Sequence, residues 1–202
     1  MNSSSRLQGE MQLTDRCSFA RQWLRDAEKQ QEERRVFSAF FSGYVALIAS
    51  SWQLDINHGQ FQKDSNMADE TRERKAIEFA MSKRSIEIDR FITSEDGKRV
   101  TTSLRIREVP EGDDFKMIGS FSDSELKGVT SFLYELWSPL GYLTKNREEI
   151  KNQADGLGLV FRKVRNRLFH GGKLNDPNGT DADLLEHLNP ILLGVVEVLV
   201  VH

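Results

Sequence analysis

The side chains best suited to chemistry lie close together between residues 165 and 173. Arg165, Asn166 and His170 fall within six residues, and two glycines and Lys173 follow them. Histidine changes protonation near neutral pH, so it can act as a general base or a general acid. Arginine stays charged, and its planar fork of N–H donors matches phosphate oxygens. This segment can therefore bind a phosphate and move a proton beside it.

These residues occupy the end of a predicted helix. Glycine readily takes the left-handed conformation of a helix C-cap, so Gly171-Gly172 favours an end there. Asn166 and His170 are four residues apart and share one face with Arg162, roughly opposite the apolar stripe, while Arg165 lies on the flank. The apolar stripe recurs at helical period and consists of Leu157, Val160, Phe161, Val164 and Leu168.

The segment resembles the signature of the HEPN family (higher eukaryotes and prokaryotes nucleotide-binding domains). The family pattern is arginine, a polar residue, three residues of any type and histidine, in the C-terminal part of a helix. Arg165, Asn166 and His170 match that pattern position by position. The adjoining Leu-Phe-His-Gly-Gly-Lys is similar to the common bacterial form. The motif covers residues 164–173, and the rest of the resemblance is a helical layout.

The resemblance implies a homodimer in which two motifs face each other and form one composite cleft. It implies a metal-independent endoribonuclease of a toxin–antitoxin or antiviral defence system, with an RNA substrate, a cognate antitoxin protein as a candidate partner, and no cofactor. Arg165, Asn166 and His170 are the expected catalytic residues. Arg162 and Lys173 are additional candidates for substrate binding.

Two other interpretations stay open. The first is a non-catalytic HEPN module that binds RNA, a nucleotide or a partner protein. The second is a helical interaction protein in which the motif is only the polar back of an amphipathic helix. The complete set of Arg165, Asn166 and His170 favours the ribonuclease over both.

Composition bounds the class of protein. The 202 residues suggest one domain, which we place at residues 13–202 after a flexible N-terminus at 1–12. The net charge of -3 excludes an overall basic field, so any contact with nucleic acid must come from a local patch. A single cysteine, Cys17, excludes a disulfide framework and fits a reducing compartment.

Targeting and metal-binding patterns are also missing from the sequence. The N-terminus has no apolar core of a signal peptide. The most apolar segment, 184–201, is interrupted by polar residues, whereas a membrane span needs about 20 largely apolar residues. We therefore expect a cytoplasmic protein with no membrane contact. No glycine-rich phosphate loop and no cysteine or histidine cluster at metal-ligand spacing is present, and we assign no metal site.

The hydrophobic periodicity predicts a mainly α-helical bundle. Residues 14–53 have a helical pattern, as one bent helix or two, with the charge run at 28–35 as a solvated face or a joint. Residues 69–92 are helical again. The period changes to two at 100–106, which allows a small β-hairpin insertion at 99–118.

Two apolar segments are expected to form the core. The segment at 184–201 is apolar on nearly every side, so we expect it to be buried on most faces and partly against a second protomer. The other segment carries large side chains at helical spacing, and they are Phe37, Phe40, Phe41, Tyr44 and Ile48.

Overall fold

The protein is a mainly α-helical bundle, as the sequence predicts. A computed structural model describes residues 3–58, 69–94, 147–170 and 180–200, and these ranges contain helices and no strand. The hairpin predicted at 99–118 lies outside the described residues. The helices are α1 (Ser3–Glu32), α2 (Val36–His58), α3 (Asp69–Lys83), α4 (Ser85–Thr93), α5 (Arg147–His170) and α6 (Thr180–Val200).

The N-terminal segment takes helical backbone. Helix α1 begins at Ser3, so most of the stretch that the sequence predicts to be flexible lies within a helix. Its flexibility stays a prediction, because a helix end that few contacts hold can fray.

The charge run at 28–35 contains a joint between α1 and α2, as predicted. Arg34 has a φ of 56°, in the left-handed region. The Arg34 N–H donates to the Gln31 carbonyl at 3.0 Å, and the Arg35 N–H donates to the Gln30 carbonyl at 2.8 Å. These two bonds form a Schellman helix end, in which glycine usually takes the left-handed position. An arginine there costs on the order of 1 kcal/mol, which other contacts must offset.

Asn189 of α6 ties the two sides of this joint together. Its Nδ2 donates to Gln31 Oε1 at 2.8 Å and to the Val36 carbonyl at 2.9 Å. Asn189 is fully buried, so these bonds satisfy an NH₂ group that would otherwise be costly to remove from water. The contact fixes α6 against the end of α1 and the start of α2.

Helix α6 contributes more buried apolar side chains than any other described helix. It packs against α1, α2 and α4. The predicted burial on most faces is confirmed for the described residues, and Leu193 and Val198 are partly buried. The contact of this helix with a second protomer stays a prediction. The buried apolar side chains of α6 include Leu185, Leu188, Ile191, Leu192, Val195, Val196 and Leu199.

The apolar stripe of α5 also lies in the core, as predicted. Four of its members, at 157, 160, 161 and 164, are almost completely buried, and Leu168 packs against the core at its edge. Arg165 and Asn166, at the C-terminal end of the same helix, are half-buried. None of the described helices is both long and apolar enough to span a bilayer.

Gly194 lets α4 approach α6 closely. A Cβ atom at Gly194 would collide with the ring of Phe91. We expect Gly194→Ala to lower the free energy of unfolding by about 1–3 kcal/mol, which is typical of overpacking in a core. Denaturant unfolding of the variant beside wild type measures this change.

The control removes the obstacle to the new methyl group. In a Phe91→Leu background the ring is absent, so the same Gly194→Ala substitution should cost much less. An equal loss in both backgrounds would contradict the assigned contact between α4 and α6.

Candidate functional site

Arg165 lies where α5 meets α2 and α3. Its Nη1 donates to Asn166 Oδ1 at 2.9 Å. Its Nη2 lies 3.8 Å from Glu73 Oε2, and both side chains are mostly shielded from water. A half-buried guanidinium needs such partners, because an unpaired charge is expensive to remove from water. Arg165 therefore has a defined position, with a carboxylate on one side and an amide oxygen on the other.

Two aromatic rings flank the guanidinium. The Arg165 Cζ lies 5.1 Å from the centroid of the Phe169 ring and 6.0 Å from that of Tyr44. Both distances fall within the range in which a ring face attracts a cation. Phe169 is one helical turn after Arg165, and Tyr44 belongs to α2. The rings therefore restrict how far the guanidinium can swing.

Tyr44 connects the same carboxylate to the core. Its Oη donates to Glu73 Oε1 at 2.7 Å. Burial, above all, and the hydrogen bond and charge of Glu73 raise the pKa of Tyr44 well above its usual range, while Arg162 and Arg165 oppose the shift. The phenol therefore keeps its proton at neutral pH and remains a donor to Glu73.

The packing of α3 on α5 brings Glu73 to this position. A Cβ atom at Gly158 of α5 would lie 3.1 Å from Met81 Cγ and 3.3 Å from Ile77 Cγ2, so the two helices cross closely there. Glu73 is one turn before Ile77 on α3, and Arg165 is two turns after Gly158 on α5. The small residue at 158 thus lets the two side chains meet.

The structure describes the side chains of three of the five predicted site residues, Arg162, Arg165 and Asn166. Arg165 and Asn166 are in contact, and Asn166 uses its Oδ1 for that contact. Arg162 lies near enough to Tyr44 to influence the phenol's pKa. The backbone of His170 forms the last residue of α5, one turn after Asn166. The His170 side chain and all of Lys173 lie outside what the structure describes.

Tyr44 and Glu73 were not predicted as site residues. A signal for Tyr44 exists, since a tyrosine within a buried aromatic stripe needs a partner for its hydroxyl. Glu73 lies in a run of charged residues at 69–75, where spacing alone does not show which side chain turns inward. Only the crossing of α3 and α5 identifies it.

A row of aromatic side chains extends from the site across α1, α2 and α5. Consecutive ring centroids are 5.7 Å apart for Phe169 and Phe41, 6.3 Å for Phe41 and Trp23, and 6.0 Å for Trp23 and Phe19. Phe41 was expected in the core but is 45 % exposed, and Phe19 and Phe169 are exposed by 48 % and 56 %. We call these four residues the aromatic row.

The described side chains offer an anion-binding arrangement. Arginine has five N–H donors, and the contacts to Asn166 and Glu73 occupy only part of them. Among the described residues, no three histidine, cysteine, aspartate or glutamate side chains are grouped so that they could hold a metal ion. Comparison of the chain with family models, curated proteins and solved structures gives no match.

The raised pKa of Tyr44 predicts an unusual titration. An ordinary tyrosine ionises near pH 10, and the chain has three tyrosines. Since Tyr44 keeps its proton in the folded state, wild type and Tyr44→Phe should show the same rise in phenolate absorbance between about pH 9 and pH 11. The measurement is an ultraviolet titration of both proteins, with circular dichroism to verify folding.

The sign of the associated stability change follows from proton linkage. Above about pH 10 the native state keeps a proton that the unfolded state releases, so Tyr44 makes the free energy of unfolding fall as pH rises. Tyr44→Phe removes that contribution. If wild type instead shows one more phenolate than the variant in the folded state near pH 10, the shift assigned to Tyr44 is wrong.

Proposed function

We propose that the protein is a metal-independent endoribonuclease, with Arg165, Asn166 and His170 as its catalytic residues. The observation that carries the proposal is the held guanidinium of Arg165. It is paired with Asn166 at 2.9 Å, flanked by two rings, and one turn of α5 separates it from the end of the motif. A cation held in this way is prepared to bind a phosphate with little reorganisation, which is how charge stabilisation accelerates phosphoryl transfer.

The proposed reaction begins with the ribose hydroxyl of the substrate. The 2′-oxygen attacks the adjacent phosphorus while a base takes its proton, and the bond from phosphorus to the 5′-oxygen breaks as an acid protonates that oxygen. His170 transfers a proton, Arg165 stabilises the charge on the phosphate oxygens, and Asn166 orients the guanidinium. The products are a 2′,3′-cyclic phosphate and a 5′-hydroxyl.

One chain supplies one His170, whereas the reaction needs both a base and an acid. A homodimer with two motif helices close together supplies two imidazoles. The aromatic row gives a surface for that contact, because exposed apolar side chains grouped beside the motif are typical of interfaces. We therefore assign the dimer interface to the side of the bundle that carries this row.

The dimer is tested by sedimentation equilibrium at micromolar concentration. We expect wild type to be dimeric and Phe41→Ser to weaken association at least about tenfold, since central aromatics at interfaces often contribute about 2 kcal/mol or more. Ile86→Ser is the matched control, because Ile86 is 40 % exposed and belongs to α4, a helix that contributes no ring to the row. A wild type that stays monomeric, or equal effects of both variants, contradicts the assignment.

The cleavage proposal is tested with purified protein and labelled RNA. We expect Arg165→Ala and His170→Ala each to lower the rate by about 10²- to 10⁴-fold, because each removes charge stabilisation or proton transfer. Cutting should continue in the presence of a chelator and should stop when the scissile ribose lacks its 2′-hydroxyl. Chemical analysis of the ends should find the cyclic phosphate and the 5′-hydroxyl.

Arg74→Ala is the matched control for charge. Arg74 is about half exposed on α3 and pairs with Glu78, outside the site. It should cut like wild type, and thermal unfolding of all variants separates loss of activity from loss of folding. If Arg165→Ala and His170→Ala both cut as fast as Arg74→Ala, the motif is not the active site.

One observation favours the alternative, a non-catalytic HEPN module that binds RNA, a nucleotide or a partner protein. The carboxylate of Glu73 already lies beside Arg165, which reduces the positive charge that an incoming phosphate meets. Binding of RNA that depends on Arg165, with no cleavage under conditions that keep the protein dimeric, would establish this alternative.

The biological setting is proposed from the resemblance alone. A ribonuclease of a toxin–antitoxin or antiviral defence system should slow growth when it is expressed without its antitoxin. Expression of wild type beside His170→Ala, with growth and RNA integrity scored together, connects the setting to the proposed activity.

A further inference from the structure

We infer that Glu73 is a positioning residue that aims the guanidinium of Arg165 at the substrate phosphate, and that Tyr44 holds Glu73 in place for this task. The inference rests on the proposed function, since it assigns Arg165 to the phosphate. It adds two residues from two other helices to the site. Neither belongs to the motif at the end of α5.

The two oxygens of the Glu73 carboxylate have separate partners. Oε1 accepts the Tyr44 hydroxyl at 2.7 Å, and Oε2 faces Arg165 Nη2 at 3.8 Å. The carboxylate cannot rotate toward a closer pairing with Arg165 without loss of the short bond to Tyr44. Because Tyr44 is almost completely buried in the core, that bond anchors the carboxylate to α2.

The geometry of the pair differs from that of a saturated ion pair. Charge-assisted bonds between a guanidinium and a carboxylate are typically about 2.7–2.9 Å long and often forked. Here the nitrogen Nη2 lies 3.8 Å from the carboxylate oxygen, which is about 1 Å longer than such a bond. Glu73 therefore attracts the guanidinium electrostatically but leaves most of its donors for another anion. A phosphate fits that role, because its oxygens match the same fork.

The remaining contacts set the direction in which the fork points. Asn166 accepts from Nη1, opposite the nitrogen that faces Glu73, and the rings of Phe169 and Tyr44 lie within cation–π distance. Removal of the Glu73 charge leaves the hydrogen bond to Asn166 and the ring contacts in place. It removes the electrostatic attraction that acts on Nη2 of Arg165. We therefore expect the guanidinium to remain in the site but to take a wrong orientation toward the phosphate.

Loss of the Glu73 charge should affect the rate of cleavage and the binding of RNA differently. Glu73→Gln keeps the size of the side chain and an oxygen that can accept from Tyr44, while it removes one negative charge near the phosphate. Ground-state binding of RNA should therefore be unchanged or tighter. The rate should fall by about 10- to 100-fold, since small misplacements of a catalytic group have effects of this size. A purely structural role would not lower kcat while KM stays constant or falls.

The experiment compares kcat and KM for wild type, Glu73→Gln, Tyr44→Phe and Glu73→Asp. Glu78→Gln is the matched control, because Glu78 lies on the same helix and pairs with Arg74 in an exposed ion pair of 3.6 Å. We expect the control to match wild type and Tyr44→Phe to lower kcat less than Glu73→Gln. Glu73→Asp should recover part of the loss, because it restores the charge on a shorter stem.

Double variants show whether Glu73 acts through Arg165. Glu73→Gln should add nothing to the loss caused by Arg165→Ala, since a positioning residue has no effect once its target is gone. If the two losses multiply, or if Glu73→Gln cuts like Glu78→Gln, the inference is wrong. Thermal unfolding is measured alongside, and if Glu73→Gln does not fold, Tyr44→Phe provides the same comparison.

A binding measurement keeps this inference distinguishable from the proposed ribonuclease activity. The probe is a fluorescent RNA of mixed sequence in which every ribose carries a 2′-O-methyl group, so that no nucleophile is present. If wild type cuts no RNA but the effects of Glu73→Gln and Arg165→Ala on probe affinity depend on each other, the ribonuclease proposal fails and the positioning role stands. If wild type cuts no RNA, independent effects of the two substitutions, or no binding of the probe, overturn the positioning role as well.

Discussion

A charged guanidinium between three packed helices is the constraint on which the candidate site depends. Arg165 cannot remain there without compensation, because the loss of hydration must be offset by hydrogen bonds, opposite charge or ring faces. The structure supplies all three kinds of partner, and each comes from a different direction. The position of the cation is consequently a property of how α2, α3 and α5 pack, and it is not set by the motif alone.

That packing depends in turn on buried contacts far from the motif. Helix α6 packs against α1, α2 and α4, and the amide of Asn189 joins it to the turn between α1 and α2. The turn itself holds Arg34 in a left-handed conformation that a glycine would take more easily. Because α2 starts directly after this turn, the contact helps to fix where Tyr44 reaches Glu73. A buried polar contact thus specifies geometry where apolar packing alone would tolerate small shifts.

The sequence predicted the helices, but it did not predict all of the contacts around Arg165. The apolar stripe of α5 and the joint at 28–35 both follow from local patterns, and both are present in the structure. Phe41 shows the limit of periodicity, because a wide aromatic stripe does not reveal which member lies at its edge. Glu73 could not be chosen from its charged neighbours, since its role depends on a helix crossing that Gly158 permits. Long-range contacts of this kind leave no local pattern.

If Arg165 binds a substrate phosphate as proposed, the arrangement around it accounts for the presence of a carboxylate in the site. A bare guanidinium on a flexible stem would bind phosphate tightly in many orientations, which favours the ground state as much as the transition state. A carboxylate at 3.8 Å weakens the attraction modestly while it narrows the range of orientations. In the proposed reaction, additional negative charge develops on the phosphate oxygens in the transition state. A correctly oriented cation therefore stabilises the transition state more than the bound substrate. In the proposed reaction, the negative charge of Glu73 is therefore compatible with a catalytic Arg165, and a rigid Glu73 favours binding of the transition state over binding of the substrate.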